Sequence, residues 1–310
     1  MDEILRKLPE DLAEEIRKAA EGVTACSGTA GPEEIHLTAG RPVRLKQAGR
    51  SLELPYTMTQ SRLERIFAGL LDHSVYARQE ELQKGFLTVK GGSRVGVCGR
   101  TVVENGKVVT IREISSLNIR RAREFPGMGK EAAAAISEPG GRPYNTLILS
   151  PPGCGKTSLL RDLIRIFSCQ GFRVGLCDER SEVAGTWRGI PSFDLGPCTD
   201  VLDGCPKAVG MVMLLRSMAP DVIAADEIGR EEDREAAETI LCAGSRLLVT
   251  LHGRTYEDAL RSRIGPLVKN GAFHRLVFLS AEPKIGTVAA VTDGEGRSCV
   301  TAREQEGERC

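Results

Sequence analysis

The sequence predicts two domains: an α+β block over residues 1–123 and, from Thr146 onward, an α/β domain built on a parallel sheet. Three observations predict this. From Thr146, short apolar runs alternate with helix-period segments, as strands joined by crossover helices require. A glycine-rich turn, Ser150-Pro151-Pro152-Gly153-Cys154-Gly155-Lys156-Thr157, separates the first such run from the first such helix. A stretch rich in proline and glycine, 124–145, stands between the two blocks.

In the first block, Ile4, Leu5, Leu8, Leu12, Ile16 and Ala19 recur at helical spacing among charges, which predicts a helix over 1–20. Glu34–Leu37 and Pro42–Leu45 flank Thr38-Ala39-Gly40-Arg41 and read as a hairpin. A second amphipathic helix starts at Thr59 or Ser61, with Leu63, Ile66, Phe67, Leu70 and Leu71 on one face. Phe86–Val89, Arg94–Val97 and Val108–Ile111 read as short strands broken by Gly91-Gly92 and Asn105-Gly106. The block carries no obvious catalytic constellation.

Residues 124–145 read as the linker, with an Ala-rich helix Lys130–Ile136 inside it. The second domain, 146–301, starts with the buried strand Thr146–Leu149, and a helix through Leu159, Leu160, Leu163, Ile164 and Phe167 follows the glycine turn. Arg173–Cys177, Val222–Ala225 and Leu247–Thr250 are further strands, and Leu276–Leu279 and Val288–Val291 add two more. Such a series implies a parallel sheet covered on both sides. The polar tail 302–310 is expected to be flexible.

The 310 residues are 41% hydrophobic and 27% charged, enough for a core, but only 4% aromatic, so the core is aliphatic. Lys plus Arg (42) equals Asp plus Glu (42), which removes any global argument for nucleic acid or acidic membrane. The ten cysteines form no Cys-x-x-Cys pair and no zinc-finger spacing, and read as reduced thiols of a cytosolic protein. Cys154, within the glycine turn, is either a tolerated variable position or a site of oxidative inactivation. The N-terminus lacks the order of a signal peptide, and no apolar run approaches the ~18 residues of a membrane span. A soluble protein is expected, with any membrane role through a partner.

The glycine turn has the chemistry of a phosphate loop. After a strand, the N–H groups of such a turn point inward around a phosphate, and the following helix adds its positive N-terminal end. Gly153 and Gly155 permit close approach, Lys156 reaches the β/γ oxygens of a nucleoside triphosphate, and the Thr157 hydroxyl ligates Mg²⁺. Ser150 stands where a first glycine is usual. The expected nucleotide-binding set is Ser150, Pro151, Pro152, Gly153, Cys154, Gly155, Lys156, Thr157 and Ser158, with ATP and Mg²⁺ as ligands.

Four other elements carry candidate site residues. Asp226-Glu227 follows four apolar residues, so both acids emerge at a strand's C-terminal edge, where ligands sit in such sheets. Asp226 would hold Mg²⁺, and Glu227 would polarise the attacking water. Asp178-Glu179-Arg180-Ser181-Glu182 follows another strand, and Glu179 is a rival base, while Arg180 neutralises neighbouring acids. His252, at the end of the 247–250 strand, is placed to touch the γ-phosphate or the lytic water. The basic run Arg112, Arg120, Arg121 and Arg123 is open to three readings: a solvated face, a source of an arginine finger, or a nucleic-acid patch. No aromatic residue interleaves with these arginines, which weakens the last.

Together, Ser150–Thr157 with Leu159-Leu160-Arg161-Asp162, the segments Asp178–Gly185, Asp200–Lys207 and Pro220–Gly229, and Gly91–Gly96 in the first block resemble the stage III sporulation protein AA family. The resemblance spans nearly the whole chain. That family is similar to the hexameric ATPases of type II and type IV secretion systems. It implies a RecA-like P-loop ATPase core of the AAA+/ASCE type behind a smaller α+β N-terminal domain, and an ATPase working as a hexameric ring in the channel between mother cell and forespore. It also implies a cytoplasmic, mother-cell location, peripheral at the membrane through membrane proteins of the same sporulation operon, without insertion and without nucleic acid. By position, Lys156 and Thr157 match its phosphate-loop pair, Asp226-Glu227 its second acidic motif, Glu179 the acidic box and His252 the histidine box. Its arginine contacts come from the N-terminal side, where Arg112, Arg120 and Arg121 are the candidates.

Overall fold

The computed structural model describes residues 2–27, 31–47, 49–71 and 78–301. The tail 302–310 lies outside the described residues. Backbone contacts divide the chain into two units: Met1–Arg123 with Gly185–Ser192, and Glu124–Ala184 with Phe193–Cys310.

The first unit begins with α1 (Asp2–Leu5) and α2 (Glu10–Ser27), where one helix over 1–20 is expected. Pro9 makes the break: it has no N–H to continue the first helix, and its ring collides with the carbonyl four residues back. Its own carbonyl accepts the Ala13 N–H at 2.9 Å and so starts the second helix. Six antiparallel strands follow: β1 (Glu34–Thr38), β2 (Pro42–Gln47), β3 (Arg50–Thr57), β4 (Phe86–Thr88), β5 (Arg94–Glu104) and β6 (Lys107–Arg120). Their order is β3-β2-β1-β6-β5-β4. The expected 34–45 hairpin is present, with Ile35 opposite Leu45. The edge strand β3 was not foreseen, and its Pro55 is tolerated because an edge leaves ladder positions unpaired. Strands β5 and β6 run far beyond the short segments expected. Asn105 and Gly106 join them with φ of +50° and +75°, the paired positive values that match a tight hairpin to strand twist.

Alternation decides which face of this sheet is buried. Val43, Leu45, Val95, Val97, Leu117 and Ile119 form one core with Leu12 and Ile16 of α2, Leu63, Ile66 and Leu70 of α3 (Gln60–Leu70) and Leu82 of α4 (Gln79–Gln83). Thr59 caps α3 by accepting the Arg62 N–H at 3.3 Å.

The second unit is an eight-stranded sheet: β7 (Thr146–Ser150), β8 (Val174–Asp178), β9 (Thr199–Asp203), β10 (Val222–Ala225), β11 (Arg246–His252), β12 (Arg275–Ser280), β13 (Thr287–Asp293) and β14 (Ser298–Thr301). Its order is β14-β13-β12-β7-β11-β10-β8-β9. The strands from β12 to β9 are parallel, but β13 and β14 are antiparallel, which corrects the expectation of a parallel sheet throughout. The connection from β12 to β13 spans only residues 281–286, too short for the crossover of a dozen or more residues that a parallel return needs.

Both faces of the sheet are covered, as continuous apolar strands require. Ile148, Leu176, Ala224 and Leu248 face α6 (Lys156–Cys169), through Leu159, Leu160, Leu163 and Phe167. Leu149, Ile223, Ala225 and Val249 face α7 (Lys207–Met218) and α8 (Glu231–Cys242), through Met211, Leu214, Ala237 and Ile240. Residues 124–145, expected as a linker, cluster with this unit. Their helix α5 (Lys130–Ala135) buries Ala132 and Ala133 against α6, and the Gly129 N–H donates to buried Asp162 at 2.7 Å.

The central order β7-β11-β10-β8 brings four strand ends together. Ser150 pairs with His252, and Ala225 lies between Val249 and Cys177. The residues that follow these ends are therefore neighbours at one edge of the sheet, the edge where ligands bind in open α/β folds.

Candidate nucleotide site

The loop between β7 and α6 has the backbone that a phosphate cradle needs. Gly153 and Gly155 take φ of +78° and +86°, values that favour glycine. At Gly155 the surroundings also crowd a side chain: a Cβ there would lie 3.1 Å from the Gly286 Cα and 3.2 Å from Ile285 Cγ2. The Gly286 N–H donates to the Cys154 carbonyl at 3.0 Å and so ties segment 284–286 to the loop. Ser150 lies outside the left-handed region, is fully buried and donates its hydroxyl to the Pro151 carbonyl at 2.9 Å. No glycine is needed at that position. Cys154 is buried.

Five of the expected residues, Lys156, Thr157, Asp226, Glu227 and His252, come together here. Thr157 Oγ1 donates to Asp226 Oδ2 at 2.7 Å, and Thr250 Oγ1 donates to Asp226 Oδ1 at 2.5 Å. The Glu227 N–H donates to Thr250 Oγ1 at 2.8 Å and helps hold Glu227 at φ +58°, a strained value for a glutamate. Thr250 was missed as a site residue in the sequence; the signal was a hydroxyl ending an apolar strand. Lys156 Nζ lies 3.2 Å from His252 Nδ1, and His252 Nε2 lies 3.3 Å from Glu227 Oε1. An ammonium only donates, so Nδ1 accepts and the ring proton sits on Nε2, facing the carboxylate. Burial pushes the Lys156 ammonium below its usual range, the carboxylates of Asp226 and Glu227 oppose that shift, and the Arg180 charge adds to it.

The turn after β8 is built on Asp178. Its buried carboxylate accepts the N–H groups of Glu182 (3.0 Å), Val183 (3.0 Å) and Ala184 (2.8 Å). Burial nevertheless pushes its pKa up to about 7, with the charges of Asp203 and Asp226 acting in the same direction. Arg161, on α6, donates to the carbonyls of Glu182 (2.7 Å) and Val183 (2.6 Å) and stacks on Phe193. The two rival bases stand in different surroundings. Glu179 is bound at 2.6 Å by the buried Lys207 and lies 3.9 Å from Arg230. Burial raises its carboxyl, but these cations outweigh that and hold it below the usual range. Glu227 is held at 2.7 Å by Arg180 and stands next to Asp226. Lys207 too was missed in the sequence, where Pro206-Lys207 at the start of α7 was its signal.

Thr157 and Asp226 offer two hard oxygens 2.7 Å apart, close to the roughly 3 Å between adjacent ligands of an octahedral Mg²⁺ with bonds of 2.0–2.1 Å. Donor type and spacing both fit that ion. Arg112, Arg120 and Arg121 belong to the first unit. There Arg112 is opposite Arg100 on β5, Arg120 Nε lies 3.8 Å from Glu34, and the Arg121 N–H donates to the Glu33 carbonyl.

The fold and this edge define a RecA-like P-loop core. Solved structures that share the fold include the pilus retraction motor PilT with bound ADP (18% identity, TM-score 0.56, covering 85% of this chain and 76% of that one) and the Legionella pneumophila ATPase DotB (15%, 0.52, 84% and 73%). The family model for sporulation stage III, protein AA matches residues 6–299. Stage III sporulation protein AA of Bacillus subtilis is 39% identical over 302 residues, 96% of each chain. The chain belongs to the stage III sporulation protein AA family. No helix among the described residues is long and apolar enough to cross a membrane.

Proposed function

We propose that the chain hydrolyses ATP to ADP and phosphate and couples hydrolysis to powering or assembling the channel between mother cell and forespore during endospore formation. The observation that carries this reading is the chain of contacts Thr157–Asp226–Thr250–Glu227, set beside Lys156 at the end of a phosphate loop. It joins a triphosphate cradle to a carboxylate that can hold water.

In this reading, the loop N–H groups of residues 153–157 and the α6 N-terminus bind the β-phosphate, and Lys156 turns from His252 to the β/γ oxygens. Thr157 and Asp226 would hold Mg²⁺, which neutralises charge on those oxygens when bound. Glu227 orients the attacking water, and His252, released by Lys156 but still beside Glu227, is placed to touch the γ-phosphate or that water. Glu179 keeps a positioning role through Lys207. Membership of the sporulation family and the fold of the secretion and pilus motors support a ring, taken as a hexamer. Arg112, Arg120 and Arg121 are the candidates for its arginine contacts. The ring would sit on the mother-cell cytoplasmic side, docked to membrane proteins of the same operon, with no role for nucleic acid.

Steady-state phosphate release by the purified full chain with Mg²⁺ tests this. Lys156→Ala should abolish nucleotide binding, whereas Glu227→Gln should keep binding and lose turnover. Parental turnover in Glu227→Gln would remove Glu227 as the water-orienting group.

A further inference from the structure

We propose that Arg180 is a phosphate-contacting arginine supplied by the nucleotide site's own chain, held by Glu227 until a triphosphate takes its place. The proposal rests on the ATPase reading above.

Arg180 lies on a turn whose backbone is fixed on several sides. Asp178 accepts the N–H groups of residues 182–184, Arg161 donates to the carbonyls of Glu182 and Val183, and Ser181 Oγ donates to Asp203 at 2.7 Å. Ser181 itself has φ +54°. A turn so tied places the start of the Arg180 side chain, while its guanidinium stays half exposed (50%). Two other cations near this turn, Lys207 and Arg161, are committed. Lys207 is 6% exposed and bound to Glu179, and Arg161 is buried against carbonyl oxygens.

The partner of Arg180 indicates what it can bind. Its Nη1 donates to Glu227 Oε2 at 2.7 Å, while the other oxygen of that carboxylate faces His252 and, through the imidazole, Lys156. Two cations therefore converge on one carboxylate, one directly and one through a ring. An oxyanion between a phosphate-loop lysine and an arginine is the arrangement a terminal phosphate requires, and a guanidinium fork accepts carboxylate or phosphoryl oxygens alike. A half-exposed ion pair contributes little stability, so the more highly charged phosphate displaces it. The exchange also frees Glu227 to hold water, so the contact that recognises the triphosphate arms the carboxylate that acts on it.

Equilibrium binding of fluorescent ATPγS and ADP analogues to the full chain with Mg²⁺ tests the assignment. Arg180→Ala should weaken the triphosphate about tenfold and ADP less than twofold, as expected for loss of a charged hydrogen bond to the terminal phosphate. Arg180→Lys should recover part of the loss, because charge remains but the fork does not. Unchanged ADP affinity also reports an intact fold. Equal weakening of both nucleotides, or of neither, overturns the proposal. A wild-type chain that binds neither analogue would instead remove the ATPase reading beneath it.

Discussion

The Thr157 hydroxyl donates to Asp226 Oδ2 at 2.7 Å and joins the first turn of α6 to the end of β10. This bond links the phosphate loop to the acidic strand end, and a hard cation would replace its proton with two oxygen ligands. Asp226→Asn keeps the shape and removes the charge. Nucleotide affinity in that variant should lose its dependence on Mg²⁺, and turnover should fall by roughly 10²-fold or more, the scale of losing one preorganised electrostatic group. A Mg²⁺ titration of nucleotide binding checks this; a curve superimposable on the parental one would remove Asp226 as a ligand.

Glu179 and Glu227 should separate in their effects. Breaking the Glu179–Lys207 pair strands a lysine whose side chain is only 6% exposed. Removing one partner of a buried pair costs about 3–5 kcal/mol, and the 20% exposure of Glu179 brings the expectation nearer the low end. Glu179→Gln should therefore lower the urea midpoint yet keep turnover within a few-fold at a temperature where it stays folded. The double variant Glu179→Gln/Lys207→Met should recover most of the stability, because no buried charge is left alone. A turnover loss matching that of Glu227→Gln would return Glu179 to the role of base.

These contacts mark how far the sequence could be read. Apolar runs that are buried on both faces, such as Leu147-Ile148-Leu149 and Val222–Ala225, are unmistakable as strands, and they place 150–157 and 226–227 at strand ends. The edge strand Thr199–Asp203 was illegible because its acids interrupt any apolar run; only an edge tolerates them, and none of its residues is fully buried. At the N-terminus the helical period of Leu5, Leu8 and Leu12 is real, yet Pro9 outweighs it locally. Within the site, single residues were visible but their pairings were not. Lys207 meets Glu179 across 28 residues and Arg180 meets Glu227 across 47, and no local pattern encodes such contacts. The positive φ of Glu227 was equally hidden, since only a tertiary bond such as that from its N–H to Thr250 sustains it.

Asp178 gives a pH dependence whose sign is definite. Its carboxyl titrates near the ordinary 3.8 in the unfolded chain and at about 7 in the fold, because burial disfavours the charge. The folded state then holds the proton more tightly, so this group's contribution is complete below about pH 4 and is lost as pH rises through 7. Asp178→Asn cannot titrate, and its amide leaves at least one of the N–H groups of residues 182–184 without an acceptor, at a cost of about 1–3 kcal/mol. The stability gap between parent and variant should narrow from pH 5 to pH 8 in urea melts. A gap that stays constant over this range instead would mean that the three N–H bonds hold Asp178 ionised, with its carboxyl at or below the unfolded value.

Gly155 is the point where backbone, packing and chemistry coincide. Its φ of +86° already costs a side chain about 1 kcal/mol or more. A Cβ there would meet the Gly286 Cα at 3.1 Å and its nitrogen at 3.2 Å, both backbone atoms held by the bond from the Gly286 N–H to the Cys154 carbonyl. At Gly153, with φ +78°, a Cβ would find nothing within 4 Å. Gly153→Ala therefore carries the backbone cost alone, while Gly155→Ala must also shift either segment 284–286 or the loop itself. We expect Gly153→Ala to lose about 1 kcal/mol of stability and Gly155→Ala about 2–3 kcal/mol, the range of overpacking added to strain. Because the displaced atoms are those that would face a phosphate, Gly155→Ala should also weaken nucleotide binding more than its loss of stability alone explains. Thermal melts with and without ADP separate the two effects: the shift in Tm that ADP produces should shrink in Gly155→Ala well below that in Gly153→Ala, and equal shifts would show that the contact with Gly286 leaves the cradle undisturbed.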